Sequence, residues 1–460
     1  MMKSKNGITL IALIITIIVM LILVGVTVTT AIKGGLFSSA KQSAKGTTMA
    51  REKEQIISAY STTIAKTLKK DANIYDLQKE LDDTVGADKT AATILADGTF
   101  NILFNETKHN FNLNNGKVEE KELDNTKMAF FDTGENVRTK MINLAGGDQI
   151  QYWFYIANIS IDAIKRYEGT PDLSKMTDEN IVSWTTAYEA YKQNPNTYNN
   201  FVPEGTELCP IYMWFEKSGN KKIRDIYGNT NLTEITNADK EKEVETGTIY
   251  WWSESNNVYL NPDSSHMFAG LAYVSDLSGI KGFNTKFVKN MDGILLSVYN
   301  QSLKDFDDLA NWNTSNVTNM SWALAGWCSL ENIDGIKNWN TSNVTNMSFM
   351  FGNNDGGSSR ITDLSALANW NVSNVINMES MFCGCQVTSL SALASWNVSN
   401  VTSMSQMFYS CPITDASGIN DWDISKVTDF TYMFLECNTH PEFTKVSGTW
   451  DESGTFTPSN

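Results

Sequence analysis

The longest apolar stretch of the chain, Ile8 to Ile32, holds 25 residues without a charge, mostly Ile, Leu, Val and Thr. As a helix it would run about 37 Å, enough to cross a bilayer. Lys3 and Lys5 precede it and a far longer chain follows, so the positive-inside bias puts Met1 in the cytoplasm and the remainder outside the cell. Past Gly34 and Gly35 the apolar positions are Met49, Ile56, Tyr60, Ile64 and Leu68, an amphipathic helix expected to continue the membrane segment. A short helix is expected near Leu77 to Leu81, then strands over Thr99 to Phe104 and Asn110 to Leu113, with Asn114-Asn115-Gly116 as a turn. Between Met128 and Leu260 the pattern I-Y-x-W-x-E occurs at Ile211 and again at Ile249, and Gln149 to Asn158 alternates. A small aromatic-rich sheet is expected there, interrupted by a helix around Thr185 to Gln193.

The C-terminal part repeats itself. WNTSNVTNMS starts at Trp312 and again at Trp339, followed by WNVSNVINMES at Trp370, WNVSNVTSMS at Trp396 and WDISKVTDFT at Trp422, with tryptophan spacings of 27, 31, 26 and 26. A degenerate copy starts at Phe283, and Met267-Phe268 matches the later Met-Phe pairs, so the array begins near Tyr259. Trp, Val, Met, Phe and Leu at fixed offsets mean that each unit is one coil whose apolar edge stacks on the next. Val317, Val344, Val375, Val401 and Val427 are expected on short strands. Ser315, Ser342, Ser373, Ser399 and Ser425 are expected to satisfy a local backbone group through their hydroxyls. The architecture this predicts is a right-handed, leucine-rich-repeat-like solenoid. A tryptophan ladder can stack sugars or pack inward, and identical placement in every coil favours inward packing. Binding residues are expected where the repeat is broken, at Gly352 to Arg360, whose candidates are Asn353, Asn354, Asp355 and Arg360.

Composition narrows the possible functions. The 36 basic and 52 acidic residues leave a net charge of −16, which argues against nucleic acid as partner. Up to Lys70 the chain is net +8, and beyond it −24, as if a basic end lay against an anionic membrane surface. From Gln301 onward 16 acidic residues face five basic ones, and the pair Asp307-Asp308 reads as part of a solvated face. Six cysteines are too few for a disulfide scaffold, and Cys385, Cys411 and Cys437 recur at 26-residue intervals as buried ladder positions. The three histidines, His109, His266 and His440, lie in different modules with no metal-ligand spacing. No nucleophile elbow, metalloprotease helix, phosphate loop or dinucleotide fingerprint occurs, so neither a catalytic site, a metal site nor a cofactor is expected.

Two resemblances add to this reading. KNGITLIALIITIIVMLILVG resembles the leader and first helix of type IV prepilins and pseudopilins. The resemblance implies cleavage by a prepilin peptidase between Gly7 and Ile8 and methylation of the new terminus at Ile8. Ala12 stands where pilins usually carry the glutamate that pairs with a neighbouring subunit, which points to a minor or unpolymerised role. A plain signal anchor and a cleaved secretory signal are the other readings of the segment. The repeats resemble the BspA family of leucine-rich-repeat-like bacterial surface proteins, with its W-x-x-S-x-V-T-x-M-x-x-M-F-x-x-C pattern. That resemblance implies a cell-surface protein with a role in adhesion.

Together these readings predict an α+β multidomain protein: leader 1–7, a long transmembrane and pilin-like helix over 8–70, a small pilin-like head with an antiparallel sheet over 71–126, a mixed aromatic-rich module over 127–258, and the solenoid over 259–460. The expected function is that of an exported, membrane-anchored or pilus-associated bacterial surface protein that displays its solenoid for adhesion or macromolecular interaction. A minor pilin or pseudopilin subunit of a type IV pilus or type II secretion-like system is the alternative, and a cell-surface glycan-acting enzyme ranks third. The expected partners are the membrane, a prepilin peptidase, a protein or glycan of a host or neighbouring cell, and other pilin-like subunits. The chain ends GTFTPSN without an apolar tail, so the N-terminal run is the expected attachment.

Overall fold

The computed structural model of the chain describes residues 44–67, 73–87, 89–95, 98–105, 110–120, 127–146, 159–183, 206–222, 241, 243–271, 274–297, 300, 302–353 and 359–459. The chain divides into two compact units, Met1–Thr93 with Thr99–Leu123, and Ile94–Gly98 with Asp124–Asn460.

In the first unit, helix α1 (Ala44–Thr67) packs against α2 (Ile74–Val85), and strands β1 (Thr90–Ile94), β2 (Phe100–Phe104), β3 (Asn110–Asn114) and β4 (Lys117–Glu120) form a sheet in that order. The stripe that α1 buries is Glu52, Ile56, Ala59 and Thr63, rotated from the expected one so that Tyr60 and Ile64 are half-buried at its flank. Ala59 and Thr63 are small enough to let α2 approach, and Lys66 reaches Glu80 across the pair. Asn73 caps α2 by accepting from the Asp76 N–H at 2.9 Å. The β3–β4 hairpin turns at Asn115 and Gly116, both at positive φ (46° and 79°), the conformation for which Asn-Gly is suited.

In the second unit, β9 (Glu243–Ser253) lies between β6 (Ile159–Arg166), which runs parallel to it, and β8 (Ile211–Lys222), which runs antiparallel. The two I-Y-x-W-x-E copies are cross-strand partners: Tyr212 faces Trp252 and Trp214 faces Tyr250. Period-2 alternation then sends Ile211, Met213, Ile249 and Trp251 into the core. A second sheet places β5 (Lys127–Phe130) between β10 (Val258–Tyr259) and β7 (Glu207–Leu208), both parallel to it, and α3 (Gly134–Leu144) buries Val137 and Met141 in the same core.

That core continues without a break from Ala129 to Phe456, through the repeats. Val317, Val344, Val375 and Val401 are fully buried, and the Trp312 and Trp339 rings are parallel with centroids 6.3 Å apart, as are those of Trp396 and Trp422. Each indole N–H donates to a carbonyl of the preceding coil, Trp312 to Ile280 at 3.1 Å and Trp396 to Leu367 at 3.0 Å. Phe351, Phe382 and Phe408 make a second stack at 5.7 and 5.6 Å.

The expected fold class is corrected on two counts. Among the described residues are three α-helices, and none is long and apolar enough to cross a membrane. The helix expected to carry the membrane segment onward is α1, and it bears Arg51, Glu52, Lys53, Glu54 and Lys66. The run Ile8–Ile32, with Gly7, Ile8 and Ala12, lies outside the described residues. Nor are the repeats a leucine-rich-repeat-like solenoid with a strand in each coil: between Tyr259 and Gly448 the described residues form no named strand and no α-helix. Coil meets coil through single parallel bridges, in the series Asp263, Asn290, Asn319, Asn346, Asn377, Ser403 and Asp429, and through short 3-10 turns such as Asp334–Ile336. The asparagines explain why. Asn319 Oδ1 accepts from the Ser321 N–H at 3.1 Å, and Asn346 Oδ1 from the Ser348 N–H at 3.0 Å, so the side chain turns the backbone after one bridge. The same groups link coils, because Asn319 Nδ2 donates to Asn290 Oδ1 at 3.1 Å and Asn290 Nδ2 to Asp263 Oδ1 at 3.0 Å.

Both ends of the stack are covered within the unit. At the first coil the Ile164 N–H donates to Asp276 O at 3.0 Å, and Gly279 lies so close that a Cβ there would sit 2.5 Å from Lys165 Cα. At the last coil the hairpin of β11 (Gly448–Trp450) and β12 (Phe456–Pro458) brings Trp450 and Phe456 onto Phe434 and Phe430. Replacing Trp339, stacked between Trp312 and Trp370, by alanine should cost about 3–5 kcal/mol. Ile376→Thr, at a 48% exposed position that is threonine in the adjacent coils, should stay within about 0.5 kcal/mol. Thermal unfolding of both variants checks the contrast.

Candidate interaction surface

The candidate residues of the broken repeat separate. Asn353 is buried: its N–H donates to Cys383 O at 2.8 Å and its Nδ2 to Cys328 Sγ at 3.2 Å. Arg360 is exposed and reaches Glu331 at 3.2 Å, which Lys304 also contacts at 3.0 Å. Those two cations hold the Glu331 carboxyl below the usual carboxylate range. An exposed network of this kind contributes little to stability, about 0–1 kcal/mol per pair. Asn354 and Asp355 lie outside the described residues, as does His109.

The remaining titratable groups have structural surroundings. None of the six cysteines is in a disulfide. Cys411 Sγ donates to Phe382 O at 3.1 Å and Cys437 Sγ to Phe408 O at 3.0 Å, each bridging to the preceding coil. Burial pushes the thiols of Cys328, Cys385 and Cys411 upward and that of Cys437 to about 12, so they stay protonated near neutral pH. His440 stacks on Trp450 with centroids 5.0 Å apart. No group of His, Cys, Asp or Glu among the described residues is arranged to hold a metal ion. Asp308 is the exception to the picture of a solvated acidic face. Burial, reinforced by Asp276, Asp305 and Asp307 and opposed by Lys281, pushes its carboxyl up to about 6.

The surface that the coils share lies elsewhere. Each coil has a four-residue turn that opens on a buried Met or Phe, or on Ser264 in the first coil, closed in one coil by the Ala323 N–H donating to Met320 O at 3.2 Å and in another by the Met407 N–H donating to Met404 O at 3.2 Å. The third residue of every such turn has positive φ: His266 (56°), Gly293 (55°), Trp322 (54°), Phe349 (56°), Ser380 (51°), Gln406 (56°) and Tyr432 (57°). Only glycine takes this conformation without cost, and for other residues the penalty is about 1–2 kcal/mol. The column is tied together by its backbone. The N–H of each of the first six such residues donates to the carbonyl of the second turn residue in the next coil, Trp322 to Ser348 at 2.9 Å and Phe349 to Glu379 at 2.8 Å, while the Tyr432 N–H donates to Thr455 Oγ1 at 2.8 Å. Side chains at the turn tips are partly or fully exposed in most coils, and the Trp322 and Phe349 rings stack at 3.9 Å and 6°.

This column is where otherwise uniform coils differ. WNTSNVTNMS is identical at Trp312 and Trp339, and the next residue is Trp322 in one and Phe349 in the other. Reading binding into the broken repeat passes over this position, although comparing the copies residue by residue exposes it.

Residues 262–385 and 357–456 match a family described as Mycoplasma protein of unknown function, DUF285. The match covers the repeats, less than half of the chain, and is consistent with a BspA-like surface protein; it does not extend to the N-terminal segment that resembles prepilins. No curated protein and no solved structure matches the chain.

Two outcomes follow for the titrating groups. Between the ordinary aspartate value near 4 and about 6, the native chain keeps a proton on Asp308 that the unfolded chain has lost, so stability falls as pH rises through that window. Asp308→Asn should therefore stabilise the chain at pH 8 by on the order of 1 kcal/mol and have a smaller effect at pH 4, as read from melting temperatures. Titration with a disulfide reagent at pH 8 should find the native thiols slow, with half-buried Cys437 the first to react, and all six fast in guanidinium.

Proposed function

We propose that the chain is a bacterial surface protein that displays its repeats outside the cell as a recognition surface for another macromolecule. The observation that carries this reading is the turn-tip column: seven successive coils hold one backbone geometry and fill it with His, Gly, Trp, Phe, Ser, Gln and Tyr. A framework kept for packing alone has no use for bulky rings at a positive φ that Gly293 satisfies without a side chain. Repeat proteins place recognition residues at variable positions of a uniform scaffold. The acidic balance of the repeats supports display in water, since it keeps the surface soluble and suppresses non-specific association.

Labelling of intact cells with a membrane-impermeant amine reagent tests the surface assignment. The repeats carry exposed Lys289, Lys304 and Lys426, which should be modified as fully on intact cells as after lysis. Modification only after lysis contradicts the proposal.

A further inference from the structure

We infer that the turn-tip edge from Asp292 to Glu379 binds an extended, basic segment of a partner protein, two Lys or Arg residues flanking an apolar one. The inference rests on the recognition reading above and adds the chemistry of the ligand.

Four consecutive coils present Asp292 and Gly293, then Ser321 and Trp322, then Ser348 and Phe349, then Glu379 and Ser380 at the second and third turn positions. A stacked aromatic pair is thus bracketed by carboxylates. Asp292 and Glu379 are both partly exposed, and neither is ion-paired among the described residues. Ser321 donates its hydroxyl to Asp292 Oδ1. Across the fourteen turn-tip positions of the seven coils there is no lysine and no arginine. The edge therefore complements cations and has no lysine or arginine of its own to recruit an acidic ligand.

The spacing selects the ligand further. Parallel bridges join adjacent coils, so three steps from Asp292 to Glu379 span about 14 Å at strand-like separation. An extended chain advances about 13 Å in four residues and points residues i, i+2 and i+4 to one side. An Arg-x-Val-x-Arg segment would then place each guanidinium at a carboxylate and lay the apolar residue, with the arginine stems, against the rims of Trp322 and Phe349. The backbone ladder through the tips fixes this geometry before binding, so little ordering cost falls on the protein.

Fluorescence polarisation of the purified full-length chain with a labelled Arg-Ala-Val-Ala-Arg peptide tests the inference. The controls are Arg-Arg-Ala-Val-Ala, of the same composition, and Glu-Ala-Val-Ala-Glu. Two double variants carry only residues that other coils already hold at the same positions: Asp292→Ser with Glu379→Ser, as Ser321 and Ser348, and Trp322→Ser with Phe349→Gln, as Ser380 and Gln406. Unchanged melting temperatures establish that both remain folded. The spaced basic peptide should bind the wild type roughly tenfold more tightly than either control, and each double variant should lose roughly tenfold. Equal binding of the rearranged basic peptide would reduce the effect to diffuse attraction and overturn the inference. So would unaltered binding by folded variants, or saturable binding of a neutral oligosaccharide at this edge in place of the peptide. Surface labelling on intact cells without peptide binding defeats this inference and leaves the surface assignment standing, and the opposite pair of results does the reverse.

Discussion

A coil that joins its neighbour through one bridge at a time cannot satisfy its own backbone, and every other feature of the repeats depends on how that is resolved. The Asn319, Asn346 and Asn377 carbonyls receive N–H groups of the preceding coil, while their side-chain oxygens receive the N–H two residues on. Asn316, Asn343, Asn374 and Asn400 each send Nδ2 back to a carbonyl of the preceding coil at 2.7–2.8 Å. Polar side chains thus carry bonds that in a sheet the ladder would carry, and a buried backbone group left without them would cost about 1–3 kcal/mol. Apolar stacking comes second in this order: the Trp, Val, Met and Phe columns form because the polar ladders hold successive coils in register.

That division of labour separates residues of the same type by their role. Trp339 is buried, stacked on two other indoles, and donates its ring N–H to Leu309 O at 3.3 Å. Trp322 belongs to the turn column, with positive φ and Phe349 as its neighbour. The first serves the interior and is repeated; the second lies on the edge and is replaced by a different residue in every other coil. Both ends of the stack are covered, by the β6–β9–β8 sheet and by the C-terminal hairpin, which leaves the sides of the coils as the long exposed surface of this unit.

Much of the repeat interior was legible because a fixed period turns sequence into columns. Inward tryptophans, buried valines and cysteines bound between coils all follow from recurrence at 26 to 31 residues. What the period hides is the backbone path between columns. The residue after each tryptophan does the capping: Asn340 Oδ1 accepts from the Ser342 N–H at 3.0 Å and Asn397 Oδ1 from the Ser399 N–H at 3.2 Å, so serine donates through its backbone where its hydroxyl was expected to act. Valine suggests strand, but asparagine on the bridge ends pairing after one residue, which is why the expected strands are absent. A sheet in the region of the two I-Y-x-W-x-E segments was legible in the sequence, whereas their pairing with each other and α3 were not, the apolar residues of α3 being too few in eleven positions to show a period. The turn-tip edge was missed because a search for what repeats discards the position that does not.

Backbone hydrogen exchange on the full-length chain tests most directly whether polar ladders hold the coils as one body beneath a variable edge. The amides of Met320, Met347, Met378 and Met404, and those of Trp322, Phe349, Ser380 and Gln406, each donate to the next coil. All eight should be protected to a similar degree and should lose protection together as denaturant is raised. Fast exchange at the turn tips, or coils that open one by one while their neighbours stay protected, would contradict the account.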